Sequence, residues 1–155
     1  MNFWTATAIV LLTIGIMEGL AWVIHKYILH GPLWFVHKTH HGPRKGWWEA
    51  NDWVSVVYGL LSAALVVWGD LHAHPVFWVG IGIMAYGTLY FLLHDVIVHQ
   101  RVRFRHRFGN LYLQRIIRAH KIHHKHMGRA GSEAFGFLYA RRRYTPKKLS
   151  DVDPK

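Results

Sequence analysis

Ten of the fourteen histidines fall into one pattern that is written twice. The first copy is His25-x4-His30 followed by His37-x2-His40-His41. The second is His94-x4-His99 followed by His120-x2-His123-His124. Each copy lies where a very apolar stretch gives way to a basic one. Neutral imidazole is a ligand for iron, copper, nickel and zinc. Five imidazoles per copy exceed what one tetrahedral zinc takes, so the number fits two metal ions, each with several nitrogen ligands. Ordered repetition in register with apolar runs also distinguishes these residues from a low-complexity histidine tract that only buffers metal.

On an α-helix, positions i, i+3 and i+4 share a face. His37, His40 and His41 are therefore expected to converge, as are His120, His123 and His124. Five residues turn a regular helix by about 140°, so His25 and His30 do not share a face, nor do His94 and His99. His25 and His94 are expected at the ends of apolar helices, with His30 and His99 reaching the metals from a bend or an adjoining turn; Gly31-Pro32 fits such a break. The other four histidines stand outside the ligand set. His72 and His74 lie in the turn DLHAHP, His106 in the basic segment RVRFRHRF, and His126 one turn beyond His123. The chain has no HExxH, no Glu-x-x-His and no cysteine. Zinc-peptidase, ferritin-like carboxylate and thiolate-ligated chemistries are therefore excluded.

The elements that carry these residues follow from the segregation of charge. No Lys or Arg occurs in residues 1–25 or 46–100; all 19 lie in 26–45 and 101–155. Three apolar runs, over about 3–24, 53–69 and 76–93, are long enough to cross a bilayer, with tryptophans at or near their ends. Residues 110–126 suit an amphipathic helix at the interface. The whole chain reads as one all-α, membrane-embedded domain over 1–155, with three to four membrane helices. The basic segments belong on the cytoplasmic side of the cell membrane by the positive-inside rule. All ten motif histidines, in segments 25–45 and 94–126, then share that side, while His72 and His74 face the other. Nucleic acid is a poor partner for basic segments tied to spans; anionic lipid headgroups are a better one. Glu18 is the one charge in the first run. It either orients a ligand from nearly the same helical face as His25 or stays protonated in a helix contact. Asp95 and the Glu49, Asn51, Asp52 group are candidates to accept hydrogen bonds from imidazole N–H.

This framework resembles the membrane-bound, histidine-rich di-iron oxygenases of the fatty acid hydroxylase and desaturase superfamily. HKTHHGPRKGWWEAND (37–52), LYFLLHDVIVHQR (89–101), RAHKIHH (118–124) and EAFGFLYA (133–140) resemble its carotenoid-hydroxylating branch more specifically. The resemblance runs from about residue 15 to 145 and includes every histidine of the two copies. It implies two non-haem irons held by His25, His30, His37, His40, His41, His94, His99, His120, His123 and His124, with zinc a substitute in recombinant protein. It further implies O2 as co-substrate and hydroxylation of carotenoid β-ionone rings at C3, from β-carotene through β-cryptoxanthin to zeaxanthin. The residues agree independently, since an apolar substrate dissolved in the bilayer calls for an enzyme placed there. O2 chemistry also needs a redox metal, which zinc is not. Two electrons per hydroxyl and no flavin or cluster site imply a separate donor of ferredoxin type, drawn to the basic face. A hydroxylase of sterols or acyl chains, or a membrane metal-binding or transport protein, are the competing readings. Ligands at span ends rather than at mid-bilayer count against transport.

Overall fold

A computed structural model describes residues 1–43, 46–102 and 109–146; His106 lies outside the described residues. Every regular element among those residues is helical. Helix α1 (Phe3–Val23) starts at Asn2, whose side chain accepts the Thr5 N–H at 2.9 Å, a local bond that satisfies one orphan donor of the first turn. It runs on without interruption into a π-helix, π1 (Ile24–Leu29). A short helix α2 (Trp34–His41) follows, then α3 (Asp52–Leu71) and α4 (Val76–Tyr90), which likewise continues into a second π-helix, π2 (Phe91–Val98). Helix α5 (Leu111–His124) and a 3₁₀ turn (Arg142–Tyr144) are the last elements among the described residues.

Three of these helical runs, Phe3–Leu29, Asp52–Leu71 and Val76–Val98, are long and apolar enough to cross a membrane. The runs expected at 3–24 and 76–93 thus extend to 29 and 98, because each carries its first histidine pair on added helical turns. Their outer faces carry bare hydrophobic side chains such as Leu11, Ile16, Val57 and Leu60. A continuous apolar exterior of this kind requires a lipid surround. Helix α5, at 14 residues, is about 21 Å long, too short for a span. It packs Ile116 and Ala119 against Ala140 and Tyr144 instead.

Helix α4 is the central member. It packs against both α1 and α3, and 22 % of its span is buried compared with 11 % in each of its neighbours. Without a hydrophobic drive between helices in lipid, such contacts depend on small residues that let backbones approach. Gly80 faces α3, where a Cβ would lie 2.8 Å from Val66 Cγ2, and the Ser62 hydroxyl donates to the Gly80 carbonyl at 2.8 Å. Gly82 faces α1, where a Cβ would lie 2.6 Å from Thr13 Cβ. The polar turn between α3 and α4 holds His72, whose Nδ1–H donates to the Trp68 carbonyl at 2.8 Å. It lies at the opposite end of these helices from the repeated histidines. Gly80→Leu or Gly82→Leu should drive α4 from its neighbour at a cost of about 1–3 kcal/mol. A lower thermal midpoint of the detergent-solubilised protein than for an outward-facing Gly15→Leu variant is the expected result.

Candidate metal centre

The two HX4H pairs meet because the backbone changes pitch beneath them. In π1 the His30 N–H donates to the His25 carbonyl at 3.0 Å, and in π2 the His99 N–H donates to the His94 carbonyl at 2.9 Å. Both are i→i+5 bonds, which mark a π turn. They stack residues five apart on one face, with ring centroids 5.3 Å apart for His25 and His30 and 4.5 Å for His94 and His99. The separation of about 140° expected from regular α geometry is therefore corrected. The i, i+5 spacing, present twice, was itself the signal for a π-helix. Gly31 closes π1, where a Cβ would lie 1.9 Å from the Tyr27 carbonyl oxygen, so only glycine fits.

The histidines assemble into two sets that mix the copies. His25, His30, His37, His41 and His123 form one; His40, His94, His99 and His120 form the other. In each set, one ring nitrogen per residue lies within 4.8 Å of all the others. The HxxHH triplets do not converge as expected from a shared face. Positions i+3 and i+4 are about 100° apart around the axis, so α2 sends His37 and His41 to the first set and His40 to the second. Helix α5 likewise sends His123 to the first and His120 to the second. His124 belongs to neither set. Its Nε2 is buried without a hydrogen-bond partner, and its ring stacks on His41 at 4.5 Å and lies 4.5 Å from that of His120.

Hydrogen bonding settles the tautomer throughout the first set. Nδ1–H of His25 donates to the Phe135 carbonyl (3.0 Å), of His30 to Arg129 (3.0 Å), of His41 to His126 (3.0 Å) and of His123 to Glu133 (2.9 Å). That of His37 donates to Asn51 Oδ1 at 2.7 Å. A neutral imidazole that donates from Nδ1 presents a bare lone pair at Nε2. Those lone pairs point at one another: Nε2 of His25 and His37 are 3.0 Å apart, of His37 and His41 3.2 Å, and of His30 and His123 3.2 Å. Acceptor against acceptor at these distances is repulsive unless a cation lies between them. A proton does not fill that place at neutral pH. Burial lowers the pKa of His37 and His123 to about 3 and that of His41 to about 4. The donor set therefore fits a metal ion.

In the second set an acidic acceptor orients His40. His40 Nδ1–H donates to Glu49 Oε2 at 3.0 Å, and its Nε2 faces that of His94 at 3.1 Å. Nε2 of His99 and His120 are 2.9 Å apart. Burial again holds His40 and His120 well below the ordinary histidine range. His94 Nδ1 lies 3.4 Å from Asp95 Oδ1 without hydrogen-bond geometry. Asp95 also takes Arg101 Nε at 3.1 Å, Arg101 pairs with Asp52, and Asp52 accepts the Glu49 N–H at 3.0 Å. Of the four candidates for imidazole N–H bonds, Glu49 and Asn51 make them, while Asp52 fastens the loop that bears both to the end of π2.

One component had no signal in the histidine pattern. Residues 126–135, a strap beyond α5, supply the four backbone carbonyls that orient His25, His30, His41 and His123. His126 contributes its carbonyl rather than its ring. The strap continues into Phe137–Tyr139, irregular backbone whose N–H groups need acceptors at the level of α1, where water is scarce. Glu18 provides them. Its Oε1 accepts N–H of Phe137 (3.0 Å), Leu138 (3.0 Å) and Tyr139 (3.1 Å), and its Oε2 accepts the Tyr86 hydroxyl (3.0 Å). Gly136 permits this grip, since a Cβ there would lie 2.8 Å from Glu18 Oε1. Glu18 thus accepts hydrogen bonds from three backbone N–H groups and the Tyr86 hydroxyl rather than from an imidazole, which corrects the expected ligand-orienting role, while its bond to Tyr86 is a contact between α1 and α4. Its effect on the centre passes through Phe137, which stacks on His25 at 5.3 Å and 4°.

Both sets open on one cavity of about 680 Å³ among α1, α3 and α4. His25, His37 and His94 lie at its inner end, and Met17, Ile83 and Phe91 are among its apolar walls. The volume is in the range of small-molecule sites.

An all-helical membrane bundle with two buried histidine sets defines a class that the comparisons supply independently. The fatty acid hydroxylase family profile matches residues 10–140, and the chain belongs to that family. It is 46 % identical over 137 residues to the β-carotene hydroxylase of Pantoea ananas, covering 88 % of this chain and 78 % of that protein. The β-carotene hydroxylase of Pseudescherichia vulneris is 46 % identical over 134 residues, covering 86 % and 76 %. The chloroplastic β-carotene 3-hydroxylase of Haematococcus lacustris is 37 % identical over 128 residues, covering 79 % of this chain and 39 % of that protein. No solved structure matches.

Two outcomes follow. Glu18→Leu leaves three backbone donors and a hydroxyl without an acceptor, at about 1–3 kcal/mol for each group that stays unsatisfied. Elemental analysis should show a several-fold drop in metal per chain, with Glu18→Gln retaining more. Acid should unfold the metal-free protein early. His37, His41 and His123 have folded pKa values of about 3 to 4 against an ordinary 6.5, so between these limits the unfolded chain binds more protons. Stability is then full above about pH 6.5 and falls as pH drops toward 4. Denaturation midpoints of chelator-treated protein across that range test this.

Proposed function

We propose that this chain hydroxylates β-ionone rings of carotenoids at C3, taking β-carotene through β-cryptoxanthin to zeaxanthin. The observation that carries the reading is the meeting of two converged sets of imidazole lone pairs with the inner end of an apolar cavity at membrane depth. Similarity to β-carotene hydroxylases over most of the chain supports the substrate class. The net reaction at each ring consumes the C–H bond, O2, two electrons and two protons, and yields the C–OH bond and one water.

His25, His30, His37, His41 and His123 would hold one iron, and His40, His94, His99 and His120 the other. His124, with its buried and unpartnered Nε2, is the fifth candidate for the second. Iron held by these nitrogens would supply the redox chemistry toward O2 that hydroxylation needs. Zinc would fill the same nitrogens without that redox chemistry. The protein's own part is to hold the donors neutral, fixed in tautomer and shielded from water. Burial does the first; carbonyls of the strap, Asn51 and Glu49 do the second; the stacked rings of Phe137 and Tyr90, the latter 4.5 Å from His94, do the third. The apolar walls, Met17, Ile83 and Phe91 among them, would receive the ring.

Electrons would come from a separate ferredoxin-type protein at the basic face. The excess of Lys and Arg beyond the histidine ends of the spans supports a cytoplasmic position for that face, with the bundle in the cell's inner membrane. Carotene-accumulating aerobic bacteria that express the chain should accumulate zeaxanthin. His40→Ala and His123→Ala should each abolish conversion, whereas His72→Ala, at the far end of the bundle, should not. Pigment chromatography decides the point, and unchanged β-carotene beside iron-loaded wild-type protein would overturn the reading.

A further inference from the structure

The cavity is also a gap in the bundle wall. Helix α4 packs against α1 and α3, but no comparable packing joins α1 to α3. The space between those two therefore opens sideways, toward lipid, with α4 as its floor. On α3 it runs from Asp52 to Ser62, about 15 Å at 1.5 Å per residue, or half of the roughly 30 Å hydrocarbon core. Two glycines line it, Gly59 on α3 and Gly87 on α4. Both are exposed, and a Cβ built on either meets nothing within 4 Å. They differ in this from Gly80 and Gly82, whose missing side chains admit a neighbouring helix. At Gly59 and Gly87 the missing side chains leave room for something that is not part of this chain.

We propose that this cleft admits one end of a carotenoid laterally from the bilayer, and that Gly59 and Gly87 hold it wide enough for the ring. The occupant follows from the two ends of the cleft. The inner end carries His25, His37 and His94, which come from both donor sets. The outer end is open at membrane depth, where only an apolar molecule is abundant. A depth of about half the core takes one ring with part of the polyene and leaves the remainder in lipid. The inference rests on the carotenoid reading above and adds the route and its width.

The test replaces Gly59 and Gly87 singly by leucine, with Gly15→Leu and Gly19→Leu as controls. The control positions are also helical, exposed and open around Cβ, but lie outside the cleft. Each protein is expressed in carotene-accumulating cells and measured for iron per chain, for carotenoid retained per chain after purification, and for hydroxylated product. Gly59→Leu and Gly87→Leu should keep wild-type iron, lose retained carotenoid at least several-fold and lose product in parallel, while the controls match wild type. Wild-type retention and turnover in both cleft variants would overturn the proposal, as would equal losses in the controls. Wild-type protein that retains β-carotene without converting it would sink the reaction assigned above and leave the cleft standing. Wild-type protein that does neither would overturn both.

Discussion

Each imidazole in the first set gives its one N–H to a carbonyl oxygen, and that arrangement leaves five Nε2 lone pairs aimed at a common point. Taken alone, such a point is unstable, since the acceptors repel and burial keeps protons away. The rest of the structure serves to hold it. The π-helices bring residues five apart onto one face, α2 and α5 straddle the two sets, and the strap delivers carbonyls in the required directions. A cation bound there would turn this repulsion into attraction, which would couple metal binding to the local folding of the helix ends.

The strap explains why a carboxylate is found inside the first apolar run. Irregular backbone at that depth is tolerated only where each polar group has a partner. Glu18 satisfies three consecutive N–H groups, and Tyr112 donates its hydroxyl to the Leu138 carbonyl at 2.6 Å. The anchored segment carries Phe137 onto His25 and Tyr90, which links a hydrogen-bond requirement of the membrane to the orientation of the clustered imidazoles. The Glu49–Asp52 stretch does the corresponding work for the second set, with Arg101 tying it to π2.

Helix packing and substrate space are made by the same residue type in opposite roles. Gly80 and Gly82 are filled from outside by Val66 and Thr13, so that α4 holds the bundle together. Gly59 and Gly87 are left unfilled beside the histidines. An open flank between α1 and α3 suits a substrate already dissolved in the bilayer, for which a route through water would carry a large hydration penalty.

What the sequence alone determined is set by local rules: three apolar runs, their tryptophan borders, the one-sided basic charge and ten histidines repeated in order. Length, hydropathy and imidazole chemistry require no knowledge of the fold, and they sufficed for an all-α membrane protein with metal-type histidines. The family also lay within reach through contiguous stretches such as 37–52. Only the tertiary structure decided how the ten divide. The division of each HxxHH triplet depends on which partners flank α2 and α5, and that information is not local to either helix. The same holds for Glu18, whose backbone partners lie about 120 residues away, and for the strap, which acts through backbone carbonyls that every residue has. A carbonyl's role is invisible in a side-chain alphabet; it appears only when the chain has folded and aimed it.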